Sequence, residues 1–297
     1  MNDTTKCGTV AIVGRPSSGK STLLNTICEM KVAITSRTPQ TTRNAIRGIY
    51  TDTRGQLIFT DTPGFHLSEK MLNKRLQQTA IRALGESDMI LYLLDAKREA
   101  GPEEEQLAAL VKQTNSPVVL VVNKADIASE EEKAASAAFL SEHFPTPPPL
   151  FASAQKDEGV DEILIELFKF APYGDLLYPE DAYTDQDVEF RIAEILREKA
   201  MNLVSEEIPH AIFSEVADLE YDEKTNTVWI RAFITVERET QKAIVVGKGG
   251  AGIAKIRAQA EPEIRQIFSG RKLRLDLRVK AQDKWRTNPI ILDKILR

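Results

Sequence analysis

At 297 residues, with 42% apolar and 28% charged side chains, the chain is long enough for two domains and a sizeable core. Its two cysteines, Cys7 and Cys28, lie far apart without ligand spacing, which excludes a disulfide framework and a zinc site, and no apolar run approaches a membrane span or follows a basic N-terminal region, so a cytoplasmic protein is expected. The net charge of −5 hides an asymmetry: residues 237–297 hold 15 Lys and Arg against 7 Asp and Glu, so the preceding residues carry −13 and a basic module follows an acidic one.

The run Val10-Ala11-Ile12-Val13 predicts a first strand near 8–14, and a helical pattern follows near 20–30. Between them Gly14-Arg15-Pro16-Ser17-Ser18-Gly19-Lys20-Ser21 fits the phosphate-loop pattern G-x-x-x-x-G-K-[ST] in the strand-loop-helix setting that the motif requires, with Thr22 next in line. Glycines let backbone N–H groups curl around a β-phosphate, and the helix directs its positive dipole end at the same anion. Lys20 would supply a point charge to the β- and γ-phosphates and Ser21 a hydroxyl to Mg²⁺.

Arg37-Thr38-Pro39-Gln40-Thr41-Thr42-Arg43 has no apolar period and reads as a loop of the kind that orders on a γ-phosphate, with Thr42 the candidate second hydroxyl on Mg²⁺. Strands follow near 44–50 and 56–60, and the second ends on Asp61-Thr62-Pro63-Gly64. Asp61 is expected to hold Mg²⁺ through water, and Gly64 to bring its N–H to the γ-phosphate without a Cβ in the way. Lys20, Thr42, Asp61 and Gly64 form the expected catalytic set, and Ser21, Thr42 and Asp61 the metal set.

A helix near 68–84, a strand near 88–95 and a helix near 102–114 lead to Val118-Val119-Leu120-Val121-Val122, a strand buried on both faces. Asn123-Lys124-Ala125-Asp126 closes it. The Asp126 carboxylate can accept from guanine N1–H and the 2-amino group, whereas adenine would leave it unpaired. Lys124 would lie along the base, Asn123 would tie this loop to the phosphate loop, and Ser153-Ala154 would offer a backbone N–H to the guanine 6-oxygen. A helix near 129–143, a proline-punctuated turn, a strand near 149–153 and a helix near 159–170 complete an α/β pattern with a mostly parallel sheet.

The alternation stops at Ala171-Pro172-Tyr173-Gly174, so residues 1–174 are expected to form a nucleotide domain, 175–187 a linker and 188–297 a smaller α+β domain. The second part reads as a helix near 187–205, strands near 211–221 and 226–236, a helix-turn-helix near 239–268, a strand near 272–280 and a terminal helix. Within the helix pair Gly247-Lys248-Gly249-Gly250 matches the G-x-x-G loop of type II KH modules, whose glycines let a sugar-phosphate backbone touch the protein backbone. Lys248, Lys255 and Arg257 add charge there. The strand from Arg271 to Lys280 alternates, placing Lys272, Arg274, Asp276, Arg278 and Lys280 on one face as a basic stripe with phosphate contact expected at Lys272, Arg274 and Arg278. Trp285 is read as a core or interdomain residue before a base-stacking one.

With these motifs in this order the chain resembles the Era family of bacterial GTPases from about Thr9 to its C-terminus. The resemblance rests on Gly14-Arg15-Pro16, Ile34-Thr35-Ser36-Arg37, Gln40-Thr41-Thr42-Arg43, Asp61-Thr62-Pro63-Gly64, Asn123-Lys124-Ala125-Asp126 and the stretch from Val236 to Gly250. It implies a P-loop GTPase domain followed by a KH domain, GTP/GDP and Mg²⁺ as ligands, binding to the 3′ end of 16S rRNA and to the small ribosomal subunit, and a role in rRNA maturation and subunit assembly. It also implies that peripheral inner-membrane association occurs among relatives; a monomer is assumed. Ser17 stands where relatives often carry an Asn associated with potassium-assisted hydrolysis, which leaves dependence on K⁺ open. Phe65 stands where Ras-like enzymes carry a catalytic glutamine, so slow intrinsic hydrolysis is expected. The alternative is an RNA-binding chaperone whose nucleotide is structural, distinguished by equal RNA affinity in both nucleotide states.

Overall fold

The computed structural model describes residues 5–36, 38–66, 71–145 and 147–296. They form two compact units, the first made of residues up to Thr35 and Pro39–Asp185, the second of the residues from Gln186 onward together with Ser36 and Thr38.

The first unit is built on a six-stranded sheet in the order β2-β3-β1-β4-β5-β6. In chain order its elements are β1 (Lys6–Val13), α1 (Lys20–Ile27), β2 (Ile46–Asp52), β3 (Gly55–Asp61), α2 (Met71–Glu86), β4 (Met89–Asp95), α3 (Pro102–Lys112), β5 (Val118–Asn123), α4 (Glu130–His143), β6 (Leu150–Ala152) and α5 (Val160–Phe170). All strand pairs are parallel except β2 with β3, an edge hairpin. Every residue of β4 is buried, as an unbroken apolar run covered on both faces should be. The helix expected from residue 68 is described from Met71, and residues 68–70 and Arg37 lie outside the described set. β1, β3, β4 and β5 all run parallel, so their C-terminal ends open on one edge of the sheet, the edge where α/β folds bind ligands.

Residues 177–185 run along the β2–β3 hairpin. The fully buried amide of Gln56 is their template: Oε1 accepts from Leu177 N (3.1 Å) and Tyr178 N (3.0 Å), while Nε2 donates to Tyr178 O and Thr51 Oγ1, both at 3.0 Å. Ile49 N donates to Tyr183 O, Thr184 Oγ1 donates to Arg47 O, and Arg47 pairs with Asp185. Removing this amide leaves buried backbone groups without partners, so Gln56→Ala is expected to destabilise the first unit by about 2–4 kcal/mol. Chemical denaturation followed on the isolated first transition, together with limited proteolysis near Tyr178, checks this.

The second unit comprises α6 (Val188–Leu203), β7 (Phe213–Asp222), β8 (Thr227–Val236), α7 (Glu239–Val246), α8 (Ala251–Ile267), β9 (Lys272–Ala281) and α9 (Pro289–Ile295). β8 is central, antiparallel to β7 and parallel to β9. Alternation along β8 and β9 turns Val228, Ile230, Ala232, Ile234, Leu275 and Leu277 into one core with Ile192 and Leu196 of α6, Val245 of α7, and Ile256, Ala260 and Ile264 of α8. The helices therefore cover one face of the sheet. Trp285 is fully buried, donates Nε1–H to Ala211 O at 2.9 Å and meets Phe213 edge-on at 4.9 Å, so it serves the core.

Candidate nucleotide site and nucleic-acid interface

The residues of the metal set, separated by up to 40 positions in sequence, converge. Ser21 Oγ donates to Asp61 Oδ2 at 2.5 Å and lies 2.9 Å from Thr42 Oγ1, which is itself 3.3 Å from the same carboxylate oxygen. Asp61 is fully buried and burial pushes its carboxyl above the usual range, with Lys20 pulling the other way. Its other oxygen, Oδ1, meets no hydrogen-bond partner among the described residues. Two hydroxyls and a buried carboxylate with an unused oxygen are the hard-oxygen donors that Mg²⁺ takes, so the residues fit the ion.

Lys20 is buried beside them, and Nζ donates to Gly14 O and Arg15 O, both at 3.0 Å. Desolvation lowers its pKa, and Asp61 offsets part of that loss. A polyphosphate would give this ammonium the counter-charge it lacks among carbonyls. Thr62 Oγ1 donates to Ile12 O at 2.8 Å and Phe65 N to Gly14 O at 3.1 Å, so the segment after β3 is fastened to β1 and to the phosphate loop. At Gly64 an added Cβ would fall 2.6 Å from the Pro16 backbone. Gly64→Ala is therefore expected to push this segment off the loop and lower GTP hydrolysis by roughly 10²-fold, the loss typical of one transition-state donor. Single-turnover hydrolysis beside GDP affinity, which should hold, checks it. Phe65 is buried in the core with Ala83 and Leu84.

On the base side, Asn123 Nδ2 donates to Ser18 O at 2.8 Å, linking the two loops. Lys124 is held in a left-handed conformation (φ 64°) with Nζ on Asp95 Oδ2 at 2.7 Å. Asp126 is kept below the usual carboxylate range by the Ser153 hydroxyl and by Lys156, whose Nζ lies 3.5 Å away, so it is an ionised acceptor at neutral pH. The N–H of Ala154 donates to Asn123 Oδ1 (3.0 Å) and that of Ser153 to Glu158 O (2.9 Å), so both residues also brace the pocket. Buried backbone donors pair with the nearest acceptor, and here Asn123 is nearest.

Sequence reasoning missed Asp95, Arg98, Glu103 and Glu104. Asp95 had a legible signal: it ends β4 at the same sheet edge at which Asp61 ends β3 and Asn123 ends β5. Ser17, an exposed residue at φ 67°, occupies a left-handed position that Asn adopts at less cost.

In the second unit the glycine loop joins α7 to α8. Gly249 (φ 59°) and Gly250 (φ 83°) are left-handed, with open space where a Cβ would stand. Lys248, Lys255 and Arg257 are exposed, and α8 begins at Ala251 immediately after the loop, presenting its first N–H groups there. The β9 stripe is a different matter. Because Leu275 and Leu277 face the helices, Lys272, Arg274 and Arg278 lie on the opposite face, away from the helix layer that carries the glycine loop. Arg278 is paired with Asp276, Arg231 with Asp276 and Asp218, and Lys280 with Glu215. Sequence alternation shows the basic face and the Asp276 within it that pairs with Arg278, but not the ties across the sheet, Arg231 of β8 to Asp276 and to Asp218 of β7, and Lys280 to Glu215 of β7.

A phosphate loop feeding α1, an oxygen cluster of Ser21, Thr42 and Asp61 drawn from α1, the loop before β2 and the end of β3, and the Asn123-Lys124-Ala125-Asp126 loop after β5 define a P-loop GTPase, here followed by a KH-type module. A family profile described as 50S ribosome-binding GTPase matches residues 9–124, and a KH domain profile matches residues 207–286. The chain is 48% identical over 290 residues to GTPase Era of Treponema denticola, covering 97% of this chain and 98% of that one. It is 39% identical to GTPase Era of Borrelia turicatae, covering 98% and 99%. Among solved structures it is similar to a point variant of Aquifex aeolicus Era bound to GDP·AlF4⁻, with 34% identity, 98% of this chain and 99% of that chain covered, and a TM-score of 0.93. It is equally similar, at 34% identity, 98% coverage of each chain and a TM-score of 0.93, to Era in complex with MgGDPNP and nucleotides 1506–1542 of 16S ribosomal RNA. The chain belongs to the Era family and is a GTPase. Among the described residues no helix is long and apolar enough to cross a membrane.

Proposed function

We propose that this protein is a nucleotide-gated clamp for the 3′ end of 16S rRNA, acting on the small ribosomal subunit during its maturation. In this reading residues 1–174 bind the nucleotide, 188–297 hold RNA, and 175–187 connect them. The observation that carries it is the near full-length likeness to a relative solved with both a GTP analogue and that RNA segment.

In this reading hydrolysis is in-line attack of water on the γ-phosphate. The loop from Gly14 to Thr22 cradles the phosphates, Lys20 neutralises the β- and γ-oxygens, and the N–H of Gly64 meets the γ-phosphate. Ser21, Thr42 and Asp61 would hold Mg²⁺, which when bound offsets phosphate charge. Asp126 selects guanine over adenine, with Asn123 and Lys124 keeping its loop in register. Thr42 would give the switch its sensitivity, because the loop that carries it would be ordered only while the γ-phosphate is in place and released when that group leaves.

RNA would run over the α7–α8 loop, its phosphates meeting the N-terminus of α8 with Lys248, Lys255 and Arg257 alongside. The test is the affinity for an oligonucleotide copying the 16S rRNA 3′ end with a non-hydrolysable GTP analogue and with GDP. A preference of roughly 10- to 100-fold for the GTP-analogue form is expected. Equal affinities would support the chaperone reading, and no binding in either state would overturn the RNA assignment.

A further inference from the structure

Arg15 is the second residue of the phosphate loop, yet its guanidinium is held by α3. Nε donates to Glu103 Oε2 at 3.0 Å and lies 3.9 Å from Glu104 Oε1, and Nη1 donates to Glu99 O at 3.2 Å. The other oxygen of Glu103 accepts from His66 Nδ1. His66 follows Gly64 by two residues. One carboxylate at the start of α3 is thus shared between the phosphate loop and the segment that carries Gly64. Beneath it Glu104, buried to 2% exposure, accepts from the Tyr92 hydroxyl at 2.8 Å, and Arg98 Nη1 donates to Pro16 O at 3.0 Å.

These bonds divide the work. Arg98, Glu99 and Glu104 hold the loop to the β4–α3 region whether or not Glu103 is present. Phe65 N to Gly14 O and the approach of Gly64 to Pro16 place the switch on the loop through backbone groups. Glu103 is the side chain that grips both sides at once. Burial pushes its carboxyl up, but His66 and Arg15 together outweigh that and keep it below the usual range, ionised and able to serve both partners at neutral pH.

We propose that Glu103 is a positioning residue for GTP hydrolysis, tying His66 to Arg15 so that the N–H of Gly64 stays in register with the γ-phosphate. A donor displaced by about 1 Å loses most of its transition-state value, whereas ground-state nucleotide binding, spread over the loop and the base pocket, is hardly touched.

The experiment is steady-state hydrolysis by the full chain. Glu103→Ala should lower kcat by about 10-fold, with KM for GTP and affinity for GDP within about twofold, and affinity for GDP·AlF4⁻ should fall in step with kcat. His66→Ala should do the same, and the double variant should be no slower than either single one, because one tie is cut in all three. Glu103→Gln, which keeps an oxygen acceptor without the charge, should recover part of kcat and carries the test if the alanine variant folds poorly. An unchanged kcat, a parallel loss of kcat and GDP affinity, or additive losses in the double variant would each overturn the proposal.

Discussion

Gly249→Asp is expected to weaken RNA binding by at least ~30-fold while GTP binding and hydrolysis continue at the unaltered rate. The backbone there is left-handed, a region that Asp tolerates better than most residues, and nothing lies within 4 Å of the new Cβ, so the fold should bear the change. What the carboxylate meets is the incoming phosphate. Two like charges about 4 Å apart repel by about 4 kcal/mol at an effective dielectric constant near 20, and solvent at this exposed loop screens part of it. A loss of at least ~30-fold remains, since 1.4 kcal/mol is tenfold. Fluorescence anisotropy with the 16S 3′-end oligonucleotide measures it, and Gly249→Ala separates backbone strain from charge. Unchanged affinity in the aspartate variant would remove the α7–α8 loop from the RNA path.

The second large effect is expected at Asp126→Asn. The ionised carboxylate accepts twice from guanine, and Asn replaces one acceptor with an N–H₂ that faces a donor on the base. Two hydrogen bonds to a charged group are worth about 1.5–3 kcal/mol each, so GTP affinity should fall by roughly 10²- to 10⁴-fold. A purine with a carbonyl in place of the 2-amino group suits the new donor, so xanthosine triphosphate should bind the variant better than GTP does. Calorimetric titration with both nucleotides reads this directly, and a variant that still prefers GTP would show that guanine is read elsewhere. An aspartate is ionised throughout the neutral range, and Ser153 and Lys156 lower the Asp126 pKa further, so wild-type selectivity should be flat across neutral pH and fade only in acid below the usual carboxylate range.

The nucleotide chemistry was legible because its residues are local in sequence. A phosphate loop needs eight consecutive residues, and each parallel strand delivers its C-terminal residue to the same edge, so Asp61 and Asn123 could be placed by counting apolar runs. The bracing of that site was not legible. Arg15 reads as a phosphate ligand until α3, some ninety residues later, is seen to present Glu103 and Glu104 to it, and an acidic first turn on a helix is by itself only complementary to the helix dipole. The bonds by which Ala154 meets Asn123 and Ser153 meets Glu158 join segments some thirty residues apart or a turn apart and are equally silent in the sequence. Along β9, alternation reports which residues share a face but not the ties across the sheet, Arg231 of β8 to Asp276 and Lys280 to Glu215 of β7.

By itself, then, the amino-acid order determined the GTPase domain followed by a KH domain, the choice of GTP and a glycine loop between two helices, since hydrophobic period, turn chemistry and contiguous motifs are properties of neighbours along the chain. Only the tertiary structure decided which charges are free to meet a ligand. Ser21, Thr42 and Asp61 close into one oxygen cluster, Lys280 is paired with Glu215 across the sheet, and Glu103 joins the phosphate loop to the segment after β3. Electrostatic partnership acts over a few ångströms of space, and distance along the chain does not measure it.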